Sequence, residues 1–265
     1  MWKNKELVEF YEHEFDFDHQ FKDSYDDWLK AFENAVRKRA VDGCFIGLSS
    51  GYDSGSLSFE MFRRGIKFKA YVVRNNENQI VINNRIELFS DHVPIQEAKM
   101  DEDLWQGYYD FLKGKINDVA LKDKASMGVA YMFETAKGEG RKVCISGQGG
   151  DEIISDYALY PMQSTFKGKF PEKLTEWPNF KEGMNREYLN ELEEIAALYG
   201  IEVRYPFLDT DLVQEYLWLT ADLKNKNYKA PLREYLIKNN VPFAQRTTPS
   251  YNPITNPKLV EREGK

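Results

Sequence analysis

The 265 residues are 42% hydrophobic and 30% charged, which is enough for one large domain or a domain with a smaller appendage. The formal net charge of −7 argues against a general nucleic-acid partner, because such proteins usually carry a basic excess. The sequence contains no apolar stretch of membrane-span length and no apolar leader at its start, so we expect a cytoplasmic protein without a membrane partner.

The cysteines and histidines do not predict a metal centre. Cys44 and Cys144 each lie in a short apolar run, which is typical of buried free thiols in a reducing compartment. His13, His19 and His92 have no metal-ligand spacing beside a cysteine or another histidine. A structural zinc site is therefore not expected.

The spacing of apolar residues predicts alternating helices and strands in the first part of the chain. In chain order we predict helix 25–40, strand 44–49, helix 53–65, strand 67–74, helix 82–89, strand 92–95, helix 125–138 and strand 142–146. This alternation predicts an α/β fold, with a parallel sheet covered by helices on both faces. Beyond Asp151 the pattern turns largely helical, with helices predicted around 189–199, 212–217 and 229–238.

The first segment rich in small residues, SSGYDSG (49–55), directly follows a predicted strand. In an open parallel sheet, ligands bind beyond the carboxyl ends of the strands, where loops enter helices. Gly51 and Gly55 allow backbone amides to approach an anion, and the helix start near Asp53 adds positive potential. Asp53 would repel phosphate unless Mg²⁺ lay between them. The segment predicts a phosphate cradle, the alternative being a loop that only caps the helix.

A second segment, SGQGGDE (146–152), repeats this chemistry after a later strand. It offers three glycines, a hydroxyl, an amide and the acidic pair Asp151 and Glu152. If the two strands lie close together in the sheet, Asp53 and Asp151 can hold one Mg²⁺ from two sides. Two such loops at one edge make a simple capping turn a much weaker explanation.

Six segments, in order, resemble one family. LSSGYDS (48–54) resembles the SGGxDS pyrophosphate loop of the N-type ATP pyrophosphatases (PP-loop proteins), and SGQGGDE resembles the acidic loop of their asparagine synthetase and β-lactam synthetase branch. The other four segments are FENAVRKRA (32–40), ASM (125–127), GIEVRYPFLD (200–209) and KAPLRE (229–234). The resemblance implies an adenine nucleotide alpha-hydrolase-like, Rossmann-like fold. It divides the chain into an N-terminal extension (1–24), a synthetase-like domain (25–250) and a C-terminal tail (251–265).

The resemblance also implies a reaction and its cofactors, ATP and Mg²⁺. Family members adenylate a carboxylate, release pyrophosphate, and let ammonia or an amine displace AMP. By resemblance, Asp53 and Asp151 bind Mg²⁺. The residues implied for ATP and pyrophosphate are Leu48, Ser49, Ser50, Gly51, Asp53, Ser54, Val72, Val73, Ser146 and Gly147. For Val72 and Val73, plain strand core is an equally good interpretation.

Four departures from the family pattern bear on activity. Residue 2 is Trp2, where a glutaminase domain would have its cysteine nucleophile, so we expect ammonia to arrive free or from a separate glutaminase subunit. Ser50 replaces the first glycine of the pyrophosphate loop. Gln148 stands where relatives have glutamate or tyrosine; it cannot be a general base at neutral pH, but it can hydrogen-bond in an amine pocket.

The fourth departure is Thr248, at the position of a family lysine that steadies transition-state charge. Lys229, Arg233 or Arg246 can supply the missing charge, and a surface role for these cations is the alternative. The implied catalytic residues are thus Gln148, Lys229 and Arg246.

Two more regions favour structural roles. Glu202, Arg204 and Asp209 are expected to tie the helical half to the sheet, because buried charges are normally paired. The aromatic N-terminal extension lacks the basic residues of a nucleic-acid platform, and we expect it to pack on the sheet domain or to cover the surface of a missing glutaminase domain.

Three functional hypotheses follow. The first is an ATP-dependent, amide-forming ligase that acts on a small-molecule carboxylate with ammonia or an amine. The second is a catalytically impaired nucleotide-binding protein, suggested by Ser50, Gln148 and Thr248. The third is a PP-loop modification enzyme acting on a sugar, peptide or nucleic-acid substrate.

Overall fold

The structure, a computed structural model, describes residues 2–3, 6–7, 13–74, 77–123, 125–156, 166, 168–181 and 184–244. Its strands are β1 (Trp2–Lys3), β2 (Glu6–Leu7), β3 (Phe45–Gly47), β4 (Lys69–Arg74), β5 (Ile95–Lys99), β6 (Val143–Ile145) and β7 (Glu202–Arg204). Its α-helices are α1 (Asp26–Arg39), α2 (Tyr52–Arg63), α3 (Gln79–Phe89), α4 (Glu102–Leu112), α5 (Asp118–Lys122), α6 (Ala125–Gly138), α7 (Gly150–Ile154), α8 (Pro178–Lys181), α9 (Met184–Tyr199), α10 (Thr210–Trp218), α11 (Ala221–Asn225) and α12 (Ala230–Lys238). A 3-10 turn spans Pro206–Leu208.

The central sheet is parallel and has five strands in the order β5-β4-β3-β6-β7. β3 lies beside β6, with Phe45 opposite Cys144 and Ile46 opposite Ile145. The strand order reverses between β3 and β6, and such a reversal opens a crevice at the carboxyl ends of the two strands. The predicted parallel sheet is therefore confirmed, and both small-residue loops enter the same crevice.

Helices cover both faces of the sheet, as predicted. One hydrophobic core contains Ile46 of β3 together with Trp28 of α1 and Leu57 of α2. The other contains Phe45 of β3 with Phe133 of α6 and Ile195 of α9. Neighbouring strand residues point to opposite faces, so one strand serves both cores.

The two cysteines are free and buried, as the sequence analysis predicts. Cys44 belongs to the core that contains Ile46, and Cys144 belongs to the core that contains Phe45. The two thiols therefore lie on opposite faces of the sheet and cannot form a disulfide bond with each other.

One predicted strand is wrong in position. A strand is predicted at 92–95, whereas β5 begins at Ile95 and runs to Lys99. The amide of Val93 donates to the carbonyl of Phe89 and closes a turn directly after α3. The predicted strand is thus largely the turn between α3 and β5. β7, α4 and α5 are additional elements that the sequence analysis does not predict.

The segment GIEVRYPFLD forms β7 and the 3-10 turn, and the structure confirms the predicted structural role of Asp209. Asp209 is buried and caps α10 by accepting a hydrogen bond from the amide of Asp211 at 3.2 Å. Its carboxylate also pairs with Arg39 at 2.5 Å and with Lys38 at 3.2 Å. These contacts fasten α1 to the helical half of the chain.

The aromatic N-terminal segment packs on the helical half and not on the sheet domain, which was one of its two predicted positions; coverage of a glutaminase surface stays a prediction. Phe15 and Phe17 contact Phe180 of α8 edge to face, each with a ring-centroid distance of 5.1 Å. The indole of Trp218 in α10 donates to Asp16 at 2.9 Å. Residues 8–12 and the predicted tail, 251–265, lie outside the described residues, and the domain boundaries remain predictions. Within the described part of the chain, every helix is too short or too polar to cross a membrane.

Glu191 generates a prediction about pH and stability. It is 7% exposed, and the hydroxyl of Ser126 in α6 donates to its carboxylate at 2.6 Å. Burial raises the pKa of Glu191 to about 7, and the nearby Asp123 adds to the shift. The folded protein therefore holds a proton that the unfolded chain loses above pH of about 4.5. This group makes the free energy of unfolding fall, by on the order of 2 kcal/mol, as pH rises from about 4.5 to 7.

We expect Glu191→Gln to remove this component of the pH profile in urea titrations between pH 4.5 and 8. Glu87→Gln, on an exposed surface of α3, is the matched control and should keep the wild-type profile. If Glu191→Gln kept the wild-type pH profile, the raised pKa of Glu191 would not be the cause of this loss of stability.

Candidate functional site

The first loop connects β3 to α2 and is held in shape by its own hydroxyl groups. The amide of Ser49 donates to the hydroxyl of Ser54 at 3.1 Å, and the two hydroxyls lie 2.8 Å apart. The amide of Gly51 donates to the Ser49 hydroxyl at 3.1 Å. Gly51 is the N-cap of α2, which runs for 12 residues, so the loop lies at the positive end of a helix.

Ser50 binds a carboxylate of the protein itself. Its amide donates to Glu77 Oε2 at 2.9 Å, and its hydroxyl donates to the same oxygen. Glu77 lies in the connection from β4 to α3, so the neighbouring strand supplies this anion. A backbone amide that already binds a carboxylate oxygen is suited to bind other anions.

The second loop connects β6 to α7 and depends on a left-handed glycine. Gly149 has φ of +90°, a conformation that residues with a side chain rarely adopt. Its amide donates to the carboxylate of Glu152 at 2.8 Å. Burial, together with the neighbouring Asp151, raises the pKa of Glu152 to about 7. The amide of Gln148 donates to the hydroxyl of Ser146 at 3.2 Å.

The two loops are in direct contact through glycines of the second loop. A Cβ atom on Gly147 would lie 2.9 Å from the Cβ of Asp53, and one on Gly150 would lie 2.8 Å from Asp53 Oδ1. Both distances are shorter than normal contacts between carbon or oxygen atoms. The absence of side chains at these glycines allows Asp53 to enter the second loop.

Lys229 joins the two predicted metal ligands. Its ammonium lies 2.5 Å from Asp53 Oδ2 and 2.7 Å from Asp151 Oδ1, and its side chain is almost completely buried. Burial alone would lower the pKa of Lys229, but Asp151 and Asp53 outweigh it and raise that pKa. Tyr228 donates a further hydrogen bond to Asp151 at 2.7 Å. The surface alternative for Lys229 is therefore wrong.

The carboxylates of Asp53 and Asp151 thus meet around a single cation, the ammonium of Lys229. Within the described ranges, three or more His, Cys, Asp or Glu residues nowhere gather in a way that could hold a metal ion. Two carboxylates nevertheless suit Mg²⁺, which commonly takes one or two carboxylates together with substrate phosphates.

The remaining predicted residues divide between the site and the core. Val72 is fully buried and Leu48 nearly so, and both belong to the core that contains Ile46. Val73, the next residue of β4, is only half-buried. Arg246 and Thr248 lie outside the described residues.

Three residues of the site have no counterpart in the sequence analysis: Glu77, Arg85 and Tyr228. Arg85 lies in α3 and donates to the carbonyls of Ser49 and Gly51 in the first loop. Tyr228 directly precedes Lys229, which is the only sequence signal that could have pointed to it. Glu77 and Arg85 reach the first loop from 27 and 34 positions away along the chain, and their local sequence carries no comparable signal.

The fold and the site together define an α/β protein with a crevice between two glycine-rich loops. The sequence matches a protein of Methanocaldococcus jannaschii that bears the name "Putative asparagine synthetase (glutamine-hydrolyzing) 1". The two are 24% identical over 205 residues, which are 74% of this chain and 36% of that protein. The chain is therefore similar to an asparagine synthetase, and spans about a third of its length. No family model matches the sequence.

Two solved structures show partial similarity. One is NMN synthetase from Francisella tularensis, with a TM-score of 0.39, 14% identity, and coverage of 77% of this chain and 94% of that chain. The other is a U34-tRNA thiolase from Methanococcus maripaludis with its 4Fe–4S cluster, with a TM-score of 0.36, 15% identity, and coverage of 79% of both chains. At these TM-scores, the fold description rests on the strand order of this protein alone.

Glu77 generates a prediction about anion affinity. The carboxylate of Glu77 already accepts the hydrogen bond of the Ser50 amide. An entering anion must therefore displace this carboxylate and overcome its negative charge. We expect Glu77→Gln to bind inorganic pyrophosphate more tightly than wild type, by roughly 5- to 20-fold, since the hydrogen bond and the charge are both weakened. Isothermal titration calorimetry measures the affinity of both proteins for pyrophosphate. Glu97→Gln, which removes an exposed partner of Arg74, is the control and should leave the affinity unchanged; weaker binding by Glu77→Gln would contradict the prediction.

Lys229 generates a prediction about stability. Lys229→Met leaves two carboxylates facing each other, so the free energy of unfolding should fall by about 3–5 kcal/mol. Lys38→Met removes a partly exposed partner of Asp211 and Asp209, but Asp209 keeps its pair with Arg39, so the cost should be about 1 kcal/mol or less. Mg²⁺ should restore more stability to Lys229→Met than to wild type, because it can replace the lost charge. Equal effects of Mg²⁺ on both proteins in thermal unfolding would argue against a shared metal position.

Proposed function

We propose that this protein is an ATP-dependent synthetase that activates a carboxylate as an acyl-adenylate and transfers the acyl group to ammonia or an amine. The observation that carries the proposal is the meeting of Asp53 and Asp151 around buried Lys229, between two glycine-rich loops. The similarity to an asparagine synthetase over most of this chain supports the same reaction class.

In this proposal the first loop binds the pyrophosphate part of ATP. The N-terminus of α2 and the amide of Ser50 face the departing charge, and Lys229 adds a full positive charge. Such preorganised donors lower the barrier because the charge on pyrophosphate grows as the bond to the α-phosphate breaks. The hydroxyls of Ser49 and Ser54 keep the loop in this conformation.

Asp53 and Asp151 would hold Mg²⁺ against the phosphates. When bound, the ion neutralises part of the pyrophosphate charge. The two aspartates then have a double task, since they also fix the ammonium of Lys229. Val73, Ser146 and Gly147, at the carboxyl ends of β4 and β6, are proposed to flank AMP. Val72 and Leu48 act through the core and shape the strands that carry these loops.

The acceptor half of the reaction is assigned to the second loop. Gln148 is half-buried, and its amide can orient an amine by hydrogen bonds without removing its proton. Ammonia would come from solution or from a separate glutaminase subunit. Arg246 is proposed as a further charge for the transition state, in place of the lysine that Thr248 replaces.

A modification enzyme of the same chemistry is an equally consistent second function. Adenylation of a carboxyl or carbonyl group on a sugar, peptide or nucleic acid needs the same two loops. The net charge of −7 weakens the nucleic-acid version, because phosphate-rich partners are repelled by an acidic protein. A third candidate function is nucleotide binding without turnover. It is suggested by Ser50 and Gln148, which depart from the family pattern.

The test is carboxylate-dependent exchange of labelled pyrophosphate into ATP, measured without any amine. We expect exchange with at least one member of a panel of small carboxylates that includes aspartate. Asp151→Asn should reduce it by about 100-fold or more, by analogy with the loss of one transition-state contact. Asp211→Asn, at an exposed position, should retain full exchange.

The outcomes separate the candidates. Exchange that requires a glycan, peptide or RNA, and not a free carboxylate, would favour a modification enzyme. ATP binding without exchange on any substrate would favour a non-catalytic nucleotide-binding protein and would refute the proposed reaction.

A further inference from the structure

Arg85 is the largest charged side chain buried beneath the first loop. It lies in α3 and is fully buried. Its guanidinium donates to the carbonyls of Ser49 and Gly51, the latter at 2.8 Å, and Nε donates to the carbonyl of Pro242 at 2.9 Å. One side chain therefore joins α3, the first loop and the segment that follows α12.

Gly55 makes room for this guanidinium. A Cβ atom at Gly55 would lie 2.3 Å from Nη2 of Arg85, a distance that no real contact has. Glycine in a helix interior costs stability relative to alanine, so its presence in α2 needs a local reason. The close passage of Arg85 under α2 is that reason.

The charge of Arg85 lacks a direct counter-ion among the residues that the structure describes. Its Nη2 has no hydrogen-bond partner there, and the carboxylates of Glu77 and Asp53 act on the guanidinium through their charges without an ion-pair contact. Burial lowers the pKa of Arg85 to about 10, so the guanidinium stays charged at neutral pH. The charges of Glu77 and Asp53 offset the effect of burial only in part, so the buried cation favours a further anion nearby, and the first loop lies directly against it.

The geometry of the peptide bond gives this contact a direction. In a trans peptide, the carbonyl of one residue and the amide of the next point to opposite sides. When Arg85 holds the Ser49 carbonyl, the Ser50 amide points away from Arg85, toward the crevice. That amide does bind an anionic oxygen, from Glu77, at 2.9 Å. By the same geometry, the Tyr52 amide points away from Arg85, because Arg85 binds the carbonyl of Gly51.

We propose that Arg85 is a positioning residue that shapes the first loop for a pyrophosphate group and links that loop to the segment after α12. It acts in two ways. It fixes two loop carbonyls so that the following amides face the ligand, and it places a buried positive charge behind them. Through the carbonyl of Pro242, the same side chain connects the loop with the segment that follows α12. The inference rests on the proposed function only in that the first loop binds phosphate.

The test compares the affinity for magnesium pyrophosphate across matched variants by isothermal titration calorimetry, with folding checked by thermal unfolding. We expect Arg85→Met to weaken binding by roughly 10- to 100-fold, as for the loss of charged hydrogen bonds, and Arg85→Lys to restore part of it. Arg141→Met is the matched control. Arg141 also donates to two backbone carbonyls, those of Gly43 and Cys44, but at the opposite end of β3. It should change the affinity by less than about threefold.

Gly55→Ala provides a second route to the same contact, and it decides the question if Arg85→Met does not fold. It should displace the guanidinium and weaken pyrophosphate binding in the wild-type background. In the Arg85→Lys background its further effect should be smaller, because the two changes act on one contact.

Wild-type affinity in folded Arg85→Met, or in both Arg85→Lys and Gly55→Ala, would overturn the proposal. Equal losses in Arg85→Met and Arg141→Met would also overturn it, since they would indicate general damage to the sheet. Absence of pyrophosphate binding in the wild type would refute the anion site itself. Pyrophosphate binding that depends on Arg85, without carboxylate-dependent exchange, would refute only the proposed reaction.

Discussion

The site depends on one buried ammonium group. Lys229 is almost completely removed from water, and a buried charge is stable only when it is paired and hydrogen-bonded. Its partners, Asp53 and Asp151, come from the two loops that follow β3 and β6. Lys229 itself adopts a left-handed conformation with φ of +47°, which is strained for a residue with a side chain. The pairing therefore holds three distant segments in one arrangement and offsets the strain.

Close approach of the loops is the second constraint. The pairing of β3 with β6 places both loops at the crevice where the strand order reverses, but adjacency alone would leave their side chains in collision. Gly147 and Gly150 remove that collision and let Asp53 enter the second loop. Gly55 plays the same part on the other side, where Arg85 passes beneath α2. Glycine is required at these positions for space, and at Gly149 for its positive φ.

Much of the fold was predictable from sequence because its signals are local. The apolar spacing predicts α1, α2, α6, α9, α10 and α12 and the strands β3, β4 and β6. The strand predicted at 92–95 failed because Val93 closes a turn directly after α3, which a short apolar run cannot reveal. β7 escaped prediction because Glu202 and Arg204 flank a single apolar residue, and its strand conformation comes from pairing with β6. The N-terminal aromatic residues indicated that this segment packs on the rest of the protein. They did not indicate that it packs on α8 and α10.

By itself the sequence determined the α/β class and the two small-residue loops with their aspartates, because periodicity and turn composition are properties of neighbouring residues. Only the tertiary structure decided that Lys229 is a buried partner of both aspartates rather than a surface charge. It also decided that Glu77 binds Ser50 and that Arg85 supports the first loop. The contact between Lys229 and Asp53 joins residues 176 positions apart. No spacing rule encodes such a contact, because it arises from strand order and from the cost of leaving a buried charge unpaired.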